Sequence, residues 1–266
     1  MMLKALILDW AGTAVDFGSR APMGAFVEAF SRFGVSISIP EARGPMGLPK
    51  RDHVSALLAT PEISARWQAA HGAAPTEADI DAVLAVFEPL NVEVIPRHAD
   101  LIPGLLEVIT EARGRGMKIG STTGYTRPIM EKLMPLAAAA GYAPDNVVCA
   151  GDLAAGRPSP LMMYRTFADI GVWPPEACVK LDDTEPGIAE GLAAGTWTVG
   201  LALSGNSAGY SREELEALSA EELAAVRAQA AEKLFRAGAH FVIDSVADLL
   251  PVLDAVEARL AAGMRP

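Results

Sequence analysis

A chain of 266 residues can bury one large core, or a core with a smaller unit attached, without disulfide or metal staples. Hydrophobic residues at 51% and charged residues at 21% exclude a disordered composition. With 22 basic against 33 acidic side chains, a formal charge of -11, there is no broad basic face for nucleic acid or anionic lipid. A phosphorylated ligand would have to be held locally, by a cation and a few buried basic groups. Cys149 and Cys178 both lie among apolar neighbours and read as reduced core thiols, not a disulfide framework. The segment from Met1 to Trp10 lacks a signal-peptide pattern, and no apolar run approaches the roughly 20 residues that span a bilayer, so the expectation is a cytoplasmic protein with no membrane partner.

Taken in chain order, Leu3 to Leu8 is a short apolar run that stops at Asp9, the pattern of a strand buried on both faces with its polar groups at the carboxyl end. Residues 19–97 then lack strands. Phe26, Phe30 and Phe33, then Val54, Leu57 and Leu58, then Val83, Leu84, Val86 and Phe87 recur at helical spacing, which predicts an inserted helical cap. Gly18 and Ile95-Pro96-Arg97 flank it, so that it could open and close over a site. Beyond it, apolar runs at Met117 to Gly120, Asn146 to Cys149, Cys178 to Leu181, Thr196 to Leu201 and His240 to Ile243 alternate with helical patterns at Gly104 to Arg113, Arg127 to Ala140, Pro160 to Ile170 and Gly187 to Ala194. This predicts an α/β fold: a doubly wound, mostly parallel sheet over residues 1–18 and 98–266 with the cap inserted at 19–97. Ser204 to Ala237 reads as a polar loop and an Ala/Glu-rich helix, most simply a solvated surface hairpin.

Ligands of open α/β sheets gather beyond the carboxyl ends of the strands. Four such junctions carry polar groups: Asp9-Trp-Ala-Gly-Thr13, Ser121-Thr-Thr-Gly-Tyr125, Gly156-Arg-Pro158 and Asp182-Asp-Thr184. Asp9 and Asp183 would bring two carboxylates together, an arrangement that needs a cation, and hard oxygen ligands suit Mg²⁺. Thr122, Thr123 and Gly124, placed where a helix opens, make a phosphate cradle, and Arg157 offers a fixed fork of donors. Gly12 is a further candidate for close backbone approach to phosphate. Asp16 reads as ordering its loop and Trp10 as packing.

These motifs in this order resemble the haloacid dehalogenase superfamily, in which the first aspartate is a nucleophile that becomes an aspartyl phosphate. Asp9-Trp-Ala-Gly-Thr-Ala-Val-Asp-Phe-Gly18, Pro45-Met-Gly-Leu-Pro-Lys-Arg-Asp-His53 and Gly120-Ser-Thr-Thr-Gly-Tyr-Thr126 resemble its phosphonoacetaldehyde hydrolase family most closely. The resemblance implies carbon-phosphorus bond cleavage giving acetaldehyde and phosphate. Asp9 would be the nucleophile, Lys50 the Schiff-base lysine, and Asp9, Asp183 and the Ala11 carbonyl the ligands of Mg²⁺. Met46, Gly47, His53, Tyr125, Asp182 and Thr184 would support them, and two copies would pair through the cap.

Superfamily phosphatases usually carry a general acid two positions after the nucleophile, where this chain has Ala11. A carbon leaving group has no alkoxide to protonate, so the alanine favours carbon-phosphorus cleavage over the alternatives, an ester phosphatase or phosphomutase, or a noncatalytic phosphate-binding protein. Gly187 stands where relatives place a further aspartate, and Ser19 where some carry a cysteine. Sequence leaves open whether Phe26, Phe30 and Phe33 form the cap's own core or a dimer contact.

Overall fold

The computed structural model describes residues 2–266. Six strands form one sheet in the order β3-β2-β1-β4-β5-β6, every pair parallel: β1 (Ala5–Leu8), β2 (Lys118–Thr126), β3 (Val148–Ala150), β4 (Cys178–Asp182), β5 (Trp197–Leu201) and β6 (Phe241–Ile243). The four residues of β1 are all fully buried, as an apolar run at the centre of a two-faced sheet requires.

Five helices precede the return to the sheet: α1 (Ala21–Arg32), α2 (Ile39–Arg43), α3 (Lys50–Ala59), α4 (Pro61–His71) and α5 (Glu77–Val94). Their starts are written locally. Pro22 occupies the first turn of α1, and Ser38 with Glu41 and Thr76 with Asp79 make reciprocal caps for α2 and α5. These helices gather their own hydrophobic cluster, with Phe26 stacked on Phe87 at 4.0 Å and Phe30, Val54, Trp67 and Val83 around them. Phe26 and Phe30 are therefore core residues of the insert, whereas Phe33 is half-buried against Trp67.

The remaining helices are α6 (Leu105–Gly114), α7 (Arg127–Ala139), α8 (Leu161–Ile170), α9 (Glu185–Ala194), α10 (Arg212–Glu216), α11 (Ala220–Arg236) and α12 (Leu249–Ala261). No helix among the described residues is long and apolar enough to cross a membrane.

Two expectations change. The strand predicted over Met117 to Gly120 runs on to Thr126, and the next helix opens only at Arg127, so Thr122, Thr123 and Gly124 lie in strand and not at a helix N-terminus. Pairing with β3 carries the strand past the end of its apolar run: Thr122 lies opposite Val148 and Thr123 opposite Cys149. The segment from Ser204 to Ala237 is not simply a surface hairpin. Ser204 is fully buried, Leu234 packs with Ile188, and Leu215 and Ala230 are also buried.

Candidate active site

The register places Leu8 of β1 opposite Ser121 of β2 on one side and Leu181 of β4 on the other. Asp9 therefore leaves the sheet beside Thr122 and Asp182, at the point where the strand order reverses direction. Asp9, Asp182 and Asp183, all buried, each bring a carboxylate oxygen into a group spanning less than 4.8 Å.

Their electrostatics separate them into two kinds. Burial pushes Asp9 up to about 6, with Arg157 pulling the other way and Asp182 adding to the rise. Asp183 is raised well above the usual carboxylate range by burial and by its two acidic neighbours; its Oδ2 accepts the Asn206 N–H at 2.7 Å, while its Oδ1 is buried with no partner. For Asp182, burial acts upward, yet Arg157, Lys180 and its bond from Thr184 hold it below the usual range. Its Oδ1 accepts from Thr184 Oγ1 at 2.7 Å, and its Oδ2 lies 3.2 Å from Arg157 and 3.0 Å from Lys180. The unpaired oxygen and the two raised carboxylates fit a hard cation between Asp9 and Asp183. Asp182 is neutralised by protein groups instead.

Arg157 is the hub of this neutralisation. Its Nη2 donates to Asp9 Oδ1 and to the Thr122 carbonyl, both at 2.7 Å, and its Nε to Glu190 Oε2 at 3.1 Å. Burial acts to lower its pKa, but Asp182, Asp9 and Glu190 more than reverse that and hold it charged. Behind it Lys180 donates to Thr122 Oγ1 at 2.8 Å and lies 3.4 Å from Glu190. The Thr122 hydroxyl in turn donates to Glu190 at 2.8 Å, so it belongs to this sealed layer and faces no ligand.

The insert supplies the opposite wall. Lys50 is the first residue of α3, 3% exposed, with its Nζ 3.8 Å from Met46 Sδ and 5.2 Å and 5.7 Å from the ring centres of Tyr125 and Phe26. Among the described residues no carboxylate pairs with it within 4.0 Å. Burial lowers its pKa to about 8, against the upward pull of Asp9. Its position at a helix N-terminus also disfavours an ammonium.

His53, one turn on, stacks on Phe26 at 4.1 Å and bonds the Ala42 carbonyl at 2.8 Å. A carbonyl only accepts, so Nε2 carries the proton. Burial, helped by the nearby Lys50, lowers its pKa to about 3 and keeps it neutral.

Asp9, Ala11, Thr123, Gly124, Tyr125, Arg157 and Asp183 line one chamber with Ser19, Met46, Gly47, Lys50 and Thr184. Gly12, His53 and Asp182 are outside its lining. The Gly12 N–H is spent on the carbonyls of Val15 at 2.7 Å and Asp16 at 3.1 Å, which leaves no donor for phosphate; a β-carbon there would instead overlap the Asp183 carboxylate. Asp16 orders its loop, accepting from the Ala21 N–H at 2.8 Å and bonding His98 at 3.0 Å. Trp10 is fully buried against Tyr142.

At two glycines of the core, the insert comes too close to leave room for a side chain on the core side. A β-carbon on Gly124 would sit 3.2 Å from the Leu48 carbonyl, and one on Gly156 would sit 2.6 Å from Pro49.

Sequence reasoning passed over Lys180, Glu190 and Asn206. The first two carried a signal: each is a charge in the middle of an otherwise apolar run, Cys178-Val-Lys-Leu181 and Gly187-Ile-Ala-Glu-Gly-Leu192. Asn206 carried none, because it acts through its backbone N–H.

A profile of haloacid dehalogenase-like hydrolases matches residues 3–195. Over 264 residues, 99% of both chains, the sequence is 54% identical to the phosphonoacetaldehyde hydrolase of Paraburkholderia xenovorans strain LB400. The chain belongs to the phosphonoacetaldehyde hydrolase family of haloacid dehalogenase-like hydrolases. The enzyme of that name from Klebsiella pneumoniae is 52% identical over 266 residues, 99% of each chain. A crystal structure of a phosphonoacetaldehyde hydrolase-like protein from Oleispira antarctica superposes with a TM-score of 0.98 at 43% identity, covering 100% of this chain and 96% of that one. A β-phosphoglucomutase from Clostridium difficile shares the fold at 16% identity, with a TM-score of 0.69, covering 98% of this chain and 100% of that one.

Proposed function

We propose that the chain hydrolyses phosphonoacetaldehyde to acetaldehyde and phosphate, with Asp9 as phosphoryl acceptor and Lys50 as electron sink. The observation that carries this reading is a buried lysine with no carboxylate partner among the described residues, lowered to about 8, in the same chamber as a strand-end aspartate already bonded to an arginine.

The chemistry needs both groups. Expelling a bare carbanion from phosphorus is very unfavourable, so the substrate carbonyl is first converted into an iminium by condensation with the Lys50 amine, releasing water. Asp9 attacks phosphorus, the carbon-phosphorus bond breaks, and its electron pair enters the iminium to leave an enamine. Protonation at carbon and hydrolysis return the lysine and release acetaldehyde. Water then cleaves the aspartyl phosphate, restoring Asp9 and giving phosphate. Arg157, held charged, stabilises the phosphoryl oxygens in both transfers. Ala11 supplies no acid, and this route asks for none at that position.

Mg²⁺ held by Asp9, Asp183 and the Ala11 carbonyl would neutralise the two carboxylates and polarise the phosphoryl group. Thr123 and Gly124 would border the phosphate, with Met46, Gly47, Tyr125 and Thr184 shaping the rest of the chamber. Asp182 serves this scheme by fixing Arg157, and His53 by packing beneath Lys50.

The free space in the chamber is only about 20 Å³, room for about one water. A phosphonate needs several times that. Residues 19–97 therefore act as a cap that lifts away from the core formed by 1–18 and 98–266 to admit substrate. Pairing of two copies through the cap would use surface outside Phe26 and Phe30, which are enclosed. A reducing cytoplasm suits the two buried free cysteines, and the charge of -11 disfavours a nucleic-acid partner.

The test is coupled detection of acetaldehyde and phosphate, with borohydride added during turnover. Stoichiometric release of both, and an adduct on Lys50 absent from Lys50→Arg, is the expected result. Phosphate release from esters alone, or full turnover by Lys50→Arg, would overturn the assignment.

A further inference from the structure

Arg43 ends α2 in the helical insert and takes no part in the chemistry above. It faces a groove of about 680 Å³ that adjoins the reaction chamber, the two sharing Met46 and Thr184. Its guanidinium, the part best suited to forked carboxylates, meets none within 4.0 Å among the described residues and reaches backbone oxygens of the core instead. Nη1 donates to the Gly18 carbonyl at 2.8 Å, the Asn206 Oδ1 at 3.0 Å and the Asn206 carbonyl at 3.3 Å, and more weakly to Ser19 at 3.4 Å. Nη2 donates to the Gly209 carbonyl at 3.2 Å, and the Asn206 amide donates back to the Arg43 carbonyl at 3.4 Å. One side chain of the insert thus ties the linker where the insert begins to the loop that follows β5.

That loop is the sleeve around Asp183. The Asn206 N–H donates to Asp183 Oδ2 at 2.7 Å, and Gly205 lies so close that a β-carbon would sit 2.5 Å from Asp183 Cβ. The Gly18 N–H donates to the Ser204 carbonyl at 2.7 Å, and the Ser204 hydroxyl to the Gly12 carbonyl at 2.9 Å, so linker, sleeve and nucleophile loop are joined. Gly209 has a φ of 73°, and a β-carbon there would press on the guanidinium at 2.8 Å. The unpaired Asp183 Oδ1 is the oxygen left for a cation, and its direction is fixed by what holds Oδ2.

We propose that Arg43 is a positioning residue that couples closure of the helical insert to cation binding at Asp183, acting through Asn206. When the insert is down, the arginine braces the loop and the Asn206 N–H aims the carboxylate; when it lifts, the brace is withdrawn and the site holds its cation less tightly. The coupling is reciprocal, so a bound cation favours the closed insert. The inference rests on the reading of Asp183 as a metal ligand.

Mn²⁺ binding to the full-length chain, followed by loss of the free-ion paramagnetic resonance signal, separates the two claims. Wild type should bind and Asp183→Asn should not. Arg43→Met should bind roughly tenfold more weakly, the low end for outer partners of metal ligands, with Arg43→Lys in between. Hydrogen exchange over residues 16–21 should slow on adding Mn²⁺ in wild type and much less in Arg43→Met. Should Arg43→Met fold poorly, Asn206→Ala, which removes only the side-chain part of the brace, is read in the same two assays. Equal Mn²⁺ affinity in wild type and the brace variants, or equal cation-induced protection of the linker, overturns the coupling while leaving the metal site standing. Absence of binding in wild type overturns both.

Discussion

Gly187 leaves the space that the Asp182 carboxylate fills: a β-carbon on the glycine, in the first turn of α9, would overlap all three carboxylate atoms. The glycine and the aspartate just before Asp183 are thus two halves of one arrangement, in which the acid is turned inward to Arg157 and Lys180.

Gly187→Ala should therefore displace Asp182 or the start of α9. The expected loss is about 1–3 kcal/mol of stability, typical of overpacking a tight site, together with a fall in kcat as Arg157 loses a partner. Denaturant melts and steady-state rates measure both. A stable, fully active variant would show that Asp182 does not set Arg157.

The lowered pKa of Lys50 predicts the pH response of imine formation. At about 8, roughly 9% of the amine is neutral at pH 7, against about 0.04% for an unperturbed lysine. The rate of borohydride-dependent inactivation in the presence of substrate should rise close to tenfold per pH unit below about 8 and level off above it. A profile still rising at pH 10 would mean that burial does not tune the amine.

Cation binding should become more stabilising as pH rises through about 6. Without a cation, Asp9 titrates at about 6 instead of 3.8, so the folded chain keeps a proton that the unfolded chain gives up between those values. That contribution is complete below about 3.8 and is lost as pH climbs through 6; Asp183, also raised, contributes in the same sense. A divalent cation replaces the protons. Thermal melts with and without Mg²⁺ should show a shift that is small near pH 5 and larger at pH 7; a shift independent of pH would place the cation elsewhere.

Lys180→Met should cost about 3–5 kcal/mol, because Asp182 and Glu190 would be left buried with one fewer cation between them. The paired change Lys180→Met with Glu190→Gln should recover part of that loss, since it removes one charge of each sign. Chemical denaturation of the two variants decides; equal losses would mean that the pair is not coupled.

Much of this site was legible because strand ends betray themselves in sequence. Asp9 and Asp183 each follow an apolar run, and the order of runs and helices was enough to place them side by side. Arg157 was legible as a cation near a third junction. Lys50 was not legible from spacing, because a lysine opening a helix looks like a surface lysine, and only the family motif around it marked it out. Thr122 was misread because a polar stretch hides the continuation of β2, which is set by pairing with β3. The bracing of Asp183 escaped because most partners of the Arg43 guanidinium, and the donor to the Asp183 carboxylate, are backbone carbonyl and N–H groups, which nearly every residue type carries.

Lys50 reaches the chamber from α3 and Asp9 from the end of β1, so the two halves of the proposed chemistry sit on separately packed pieces of chain. On that reading the sheet half receives the phosphoryl group and, with Ala11 in place of an acid, suits a leaving group that needs no proton. The helices would add the electron sink, so that the bond broken is set jointly by a group missing from one piece and a group supplied by the other.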